Sequence, residues 1–205
     1  MKNILVIDNS TFLFSVALQK GDSIYQSYLY KKDVCENCIS VLDGVFNLAN
    51  LTSKDIDCFS LGLGPGSFTG LRVSLSLIKA FQLSNNKLLI GIPSFFAIAY
   101  QYALIDRPIV IIFDARKKDV IVNLEQEKLC NLEFFLKNHC NKDCIFAGES
   151  YKFAPAIKEV YPNAYIFSTT TYPEARYLLP EINIRLQAKQ YLDINTIEPL
   201  YLHPD

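Results

Sequence analysis

The chain opens with three short apolar-rich segments of β type, and only from residue 33 do its apolar positions recur on a helical period. The three segments are Ile4 to Asp8, Phe12 to Gln19 and Ser23 to Tyr30. Asn9, Ser10 and Thr11 join the first two, and Lys20, Gly21 and Asp22 join the second and third. Such short polar links predict hairpin turns, hence an antiparallel meander. From Asp33 to Asn50, the residues Glu36, Ser40, Asp43, Asn47 and Asn50 fall on one polar stripe of a helix. Its apolar residues, Val34, Cys35, Cys38, Ile39, Val41, Leu42, Val45, Phe46, Leu48 and Ala49, spread over roughly 180°, wider than the ~100° that one core contact needs. The excess predicts a second contact surface, assigned to the edge formed by Val34, Cys38, Val41 and Val45. Gly70 and Ser74, one turn apart in the next helix, are small enough to let a neighbouring helix approach the same region. The alternative is that this chain's own C-terminal half covers the extra surface, since a fully buried helix has the same signature.

Asp57 to Leu63 returns to strand character, followed by a glycine-rich loop from Gly64 to Gly70 and a helix from about Leu71 to Ser84. A strand from Leu88 to Ile92 and a helix after Pro93, reaching about Leu104, complete this half. The pattern then restarts with strands Ile109 to Asp114 and Val120 to Glu125, a helix near Leu132 to Asn138, a strand Cys144 to Gly148, a helix near Phe153 to Val160 and a closing strand around Leu200. Two meander-plus-helix units in tandem, 1–106 and 107–205, with the second reduced, predict an α/β fold of two mixed-sheet subdomains. No low-complexity linker separates them.

Half of the 205 residues are hydrophobic, enough for one large core or two small ones. The 20 basic and 21 acidic residues nearly cancel, which disfavours direct nucleic-acid binding by this chain alone. The opening apolar run ends at Asp8, far short of a signal-peptide core or membrane span, so a cytoplasmic location is expected. Six cysteines in a chain of this size are expected to be reduced, small and mostly buried. Cys35 and Cys38 form a CxxC pair, and His139, Cys140 and Cys144 a looser group; neither segment has the turn chemistry of a zinc site, and no βαβ unit leads into a redox CxxC.

The stretch with most chemical content is Gly64-Pro65-Gly66-Ser67-Phe68-Thr69-Gly70-Leu71-Arg72, at a strand-to-helix junction. It is neither a Walker A loop nor GxGxxG. Its glycines either allow a tight turn or let backbone amides at Gly64, Gly66 and Ser67 converge on an anion.

GPGSFTGLR followed by an amphipathic helix resembles the signature segment of the TsaB (YeaZ) family. ILVIDNSTFLFSVAL, IIFDARKKDV and EPLYL resemble that family's opening strand pair, the start of its second half and its closing strand. The resemblance implies the actin/Hsp70/sugar-kinase fold and a role as partner of TsaD, the paralogue that transfers a threonylcarbamoyl group to an adenosine beside the tRNA anticodon. It further implies association with the TsaE ATPase of the same complex, or with a second copy of this chain, and only indirect contact with tRNA. In that fold two Asp-containing hairpins hold ATP phosphates. Asp8 with Ser10 and Thr11 keeps something like the first, whereas Asp114-Ala115-Arg116 has lost the glycine of the second, and Ala147-Gly148-Glu149 is at best half of an adenosine motif. With His139 and His203 the only histidines, the paralogue's HxxxH metal motif is missing. A His-Ser-Glu start to the first helix, common in the family, is replaced by Val34-Cys35-Glu36. The implied role is therefore a non-catalytic subunit without an intrinsic cofactor, with ATP or ADP only at the interface with its partner. An active small-molecule kinase or a metallopeptidase of the same fold is the rival.

Overall fold

The computed structural model of the protein describes residues 2–30, 34–116, 119–123, 127–138 and 144–201, with the side chains of Cys35, Arg116 and Glu127 outside the description. Two compact units emerge, Met1–Ala97 with Pro173–Tyr201, and Ile98–Tyr172 with Leu202–Asp205.

In the first unit, β1 (Ile4–Asp8), β2 (Leu13–Lys20), β3 (Ser23–Tyr30), β4 (Cys58–Gly62) and β5 (Leu88–Ile92) form one sheet in the order β3-β2-β1-β4-β5. The meander is antiparallel, with Val6 opposite Ala17 and Ala17 opposite Gln26, and β1, β4 and β5 run parallel. Alternation along a strand sends successive side chains to opposite faces, and β1 shows why its apolar run is unbroken. Leu5 and Ile7 join one core cluster with residues of α1 (Val34–Ala49) and α2 (Phe68–Asn85). Ile4 and Val6 join a second cluster with Ala175, Leu178, Leu179 and Ile182, the last two from α6 (Leu179–Gln187). A strand covered on both faces has no solvent side to be polar on.

The width of α1 has the same kind of cause. Val34, Cys38, Leu42, Val45, Phe46 and Ala49 are all buried, Val45 completely, and they pack with Phe14 and Val16 of the sheet and Ile78 of α2. The phenyl ring of Phe81, also from α2, meets Phe46 edge-on at 6.0 Å and stacks on Phe59 at 5.5 Å. One helix thus serves two neighbours, which needs more than a single stripe. The expected partner edge is corrected accordingly: Val34, Cys38 and Val45 are core of the first unit, and Val41 is partly buried against it. The covering material is the chain's own N-terminal half, joined by Ile197, rather than a partner.

The second unit repeats the scheme. β6 (Ile109–Arg116), β7 (Asp119–Asn123), β8 (Glu127–Asn131), β9 (Ile145–Gly148) and β10 (Tyr165–Ile166) are ordered β10-β9-β6-β7-β8. The first three pair antiparallel and β6, β9 and β10 pair parallel. This is the order of the first sheet read with each strand number raised by five. The reduction lies in element length: α4 (Leu132–Asn138) and α5 (Ala154–Val160) have 7 residues each where α1 and α2 have 16 and 18, and β10 has 2 where β5 has 5.

Several expected boundaries move. α2 begins at Phe68 rather than Leu71, and α3 (Phe95–Gln101) stops short of Leu104. The segment around Leu200 is no strand, although the Leu200 N–H donates to the Leu63 carbonyl at 2.8 Å. The single division at residue 106 becomes two, because residues 173–201 return to the first unit and complete both of its clusters.

Candidate functional site

The sequence residues proposed for phosphate or anion contact do converge, and they converge on the chain itself. Asp8 ends β1 and is fully buried. Both N–H and Oγ of Ser10 donate to its Oδ1, at 2.9 and 2.7 Å. Ser94, just after β5, donates its hydroxyl to Oδ2 at 2.5 Å and accepts the Gly64 N–H at 3.0 Å. Burial pushes the Asp8 carboxyl above its ordinary value, against the lowering effect of these Ser94 and Ser10 hydrogen bonds.

The glycine-rich loop closes over this carboxylate. Ser67 N–H donates to the Ser10 carbonyl at 2.6 Å, and Ser67 Oγ caps α2 by accepting the Gly70 N–H at 3.3 Å. A Cβ on Gly62 would overlap Asp8 Oδ2 and stand 2.6 Å from Ser94 Oγ, and one on Gly66 would overlap the Ser10 carbonyl. Gly70 is bare for the same reason, since a Cβ there would overlap the Asn9 carbonyl; Asn9 Nδ2 donates to Gly70 O at 3.1 Å. Ser74, completely buried, returns its hydroxyl to the Leu71 carbonyl at 3.1 Å. Gly70 and Ser74, expected to admit a neighbouring helix, instead face inward and Gly70 admits the β1–β2 turn. Amides at Gly64, Ser67 and Gly70 and both Asp8 oxygens are therefore engaged internally.

The second hairpin is closed by a different device. Asp114, at the bulged end of β6, is exposed, and its N–H donates to Glu149 Oε2 at 3.0 Å. Lys152 Nζ lies 2.7 Å from Glu149 Oε1 and 3.9 Å from Asp114 Oδ2. A phosphate brought to that amide would meet a carboxylate already there. Among the described residues no three His, Cys, Asp or Glu side chains group as a metal site requires. His139, Cys140 and His203 lie outside the described residues. No helix among the described residues is long and apolar enough to cross a membrane.

One open surface on the first unit was not singled out by sequence reasoning in this form. A groove of about 510 Å³ between α1 and α2 is lined by Cys38, Ile39, Phe68, Thr69, Arg72, Val73, Ser76 and Leu77. Ile39 and Phe68 stand 51% and 56% exposed along it and put two large apolar side chains side by side on one open surface. The signal was present in the sequence: Ile39 belongs to the wide apolar arc of α1, and Phe68 to the glycine-rich stretch.

A match to the family described as "TsaD: tRNA N6-adenosine threonylcarbamoyltransferase" covers residues 29–202. The chain is 28% identical over 127 residues to the tRNA threonylcarbamoyladenosine biosynthesis protein TsaB of Bacillus subtilis (strain 168), covering 61% of this chain and 56% of that one. To the protein of the same description from Haemophilus influenzae it is 22% identical over 221 residues, covering 97% and 92%. The solved structure of YeaZ from Pseudomonas aeruginosa superimposes with a TM-score of 0.81 at 18% identity, covering 98% of this chain and all of that one, which shows a shared fold. The chain belongs to the tRNA N6-adenosine threonylcarbamoyltransferase family, in its TsaB (YeaZ) branch.

Proposed function

We propose that this chain is a non-catalytic subunit of the machinery that makes threonylcarbamoyladenosine in tRNA, docking on the catalytic paralogue TsaD through the α1–α2 side of its first unit. The observation that carries the reading is the internal closure of the Asp8 turn. An acid that must engage substrate or metal needs an open side, and here both carboxylate oxygens are taken by Ser10 and Ser94 while the glycine-rich loop seals the turn. A family member whose first Asp turn is engaged by its own chain can still offer a surface, and the groove lined by Ile39, Phe68 and Leu77 supplies one. In this reading ATP or ADP belongs at the interface with the partner, the TsaE ATPase joins through the complex, and tRNA is met indirectly.

The test is nucleoside mass spectrometry of bulk tRNA from a strain depleted of this protein, with purified chain and TsaD mixed in parallel. Loss of the modified nucleoside and a stable complex are expected. Unchanged modification, or ATP turnover by the isolated chain that Asp8→Ala abolishes, would replace the reading with that of an active kinase-like enzyme.

A further inference from the structure

The groove between α1 and α2 is not uniformly apolar. Of its lining residues only Arg72 carries a charge. Its guanidinium lies over the Phe68 ring, 4.7 Å from the centroid, and among the described residues it has no carboxylate within ion-pair distance. Phe68 in turn meets the ring of Tyr201 at 5.4 Å between centroids, tilted by 38°. Tyr201 is held there by the segment that follows α6. Leu192 N–H donates to the Leu89 carbonyl at 2.9 Å, Ile197 is buried in the α1–α2 core cluster, and Leu200 N–H donates to the Leu63 carbonyl. Residues 192–201 are thus strapped across the first unit and bring an aromatic ring against Phe68, which lines the groove.

We propose that Arg72, layered on Phe68 and backed by Tyr201, is the specificity-determining residue of the docking surface, and that it takes a carboxylate which the partner presents at the edge of an apolar helix. An exposed aromatic pair with a stacked guanidinium is the residue chemistry in which binding energy concentrates. Docking removes water from Arg72, and a guanidinium drawn out of water without a counter-charge weakens a complex, so the fitting surface must bring an acid. Its planar fork then favours a carboxylate held on two parallel N–H donors. Stacking holds the guanidinium in place before the partner arrives, which lowers the ordering cost of pairing. The strap belongs to the same device, because it brings the Tyr201 ring against Phe68.

This inference rests on the reading of the chain as a subunit docking on TsaD, and full-length chain with full-length TsaD separates the two. Affinity is measured by titration calorimetry at low and high salt for the wild type and for Arg72→Glu, Arg72→Leu, Arg72→Lys and Tyr201→Ala, each checked for an unchanged melting profile. Arg72→Glu is expected to weaken binding by more than about tenfold, and Tyr201→Ala by about tenfold. Arg72→Lys keeps the charge but neither forks nor stacks as a guanidinium does, so it should weaken binding by about tenfold. Salt should weaken the wild-type complex and leave Arg72→Leu nearly unaffected, because only a charge pair is screened. Wild-type affinity in every folded Arg72 variant would overturn the assignment while leaving the docking reading standing. No binding by the wild type itself would remove both. Loss of self-association in Arg72→Glu with TsaD binding intact would also overturn the assignment, by giving the groove to a second copy of this chain.

Discussion

At the scale of single residues, the informative contrast is between the two aspartates that end the first strand of each unit. Asp8 is sealed by Ser10, Ser94 and three glycines that cannot bear a Cβ, whereas Asp114 is exposed beside Lys152. Burial raises the Asp8 carboxyl, so between the unfolded value of about 3.9 and its folded value the native state holds a proton that the unfolded chain has released. The contribution of Asp8 to stability is therefore complete below the unfolded value and is lost as pH rises through the folded one. Asp8→Asn keeps an acceptor for Ser10 and carries no charge to desolvate. Relative to wild type it should gain stability as pH rises from about 4, and urea denaturation across that range reads the difference directly. A constant offset at all pH values would mean that Asp8 does not titrate differently in the folded state. Sequence reasoning had reached Asp8, Ser10, Gly64, Gly66 and Ser67 together, and they do meet. What it could not see was the direction of the vacancy, because a glycine spared for a ligand and a glycine spared for a neighbouring carbonyl are the same letter.

At the scale of elements, periodicity carried the long segments and failed on the short ones. β1 to β3, α1 and β4 were legible because each has enough residues for its period to repeat and turn residues at both ends. β8, β10 and α6 were not foreseen. β8 has five residues with charged and polar members, β10 has two, and the amphipathic pattern of α6 follows a 3₁₀ turn at Ala175–Leu178 that obscures its start. The apolar arc of α1 puts Val34, Cys38, Leu42, Val45 and Phe46 in the chain's own core and leaves Ile39 and Leu48 exposed. Substituting Val45 by Arg should consequently unfold the first unit, since a fully buried valine gives way to a cation with no partner among Phe14, Val16 and Phe59. Circular dichroism would show it; a folded Val45→Arg protein would reinstate Val45 as a partner contact. Gly44, in the interior of α1, tests the opposite sense. A Cβ there meets nothing within 4 Å and the residue has no positive φ, so Gly44→Ala should stabilise the protein by about 0.5–1 kcal/mol through helix propensity and the unfolded-chain entropy. A stability loss in the denaturation curve would show that the helix needs glycine there for a reason its own neighbours do not supply.

At the scale of the whole molecule, two sheets of identical strand order identify a duplicated plan, and the reduced helices of the second copy explain why its repetition was hard to read in sequence. The chain does not divide where the repeat does. Residues 173–201 belong with the first unit: Ala175, Leu178, Leu179 and Ile182 fill the face of its sheet opposite α1, the Ala175 N–H donates to Ser15 Oγ at 2.8 Å, and Asn183 Nδ2 donates to Gln19 Oε1 at 3.0 Å. Ile197 adds to the other face. Four of these five are buried Leu or Ile side chains, each worth about 1.5–3 kcal/mol relative to exposure, so the first unit loses a substantial apolar contribution without them. A fragment ending at residue 106, the boundary that the sequence pattern suggests, retains every strand of the first sheet but exposes Ile4, Val6, Ile90 and Ile92 on one face. It should lack a cooperative thermal transition and bind hydrophobic dye. Joining residues 173–201 to the end of residues 1–97 through a flexible linker restores those contacts and should restore the transition. If the 1–106 fragment melts cooperatively by itself, the returning segment is an addition to a finished unit. If neither melts cooperatively, the first unit depends on the second for its stability.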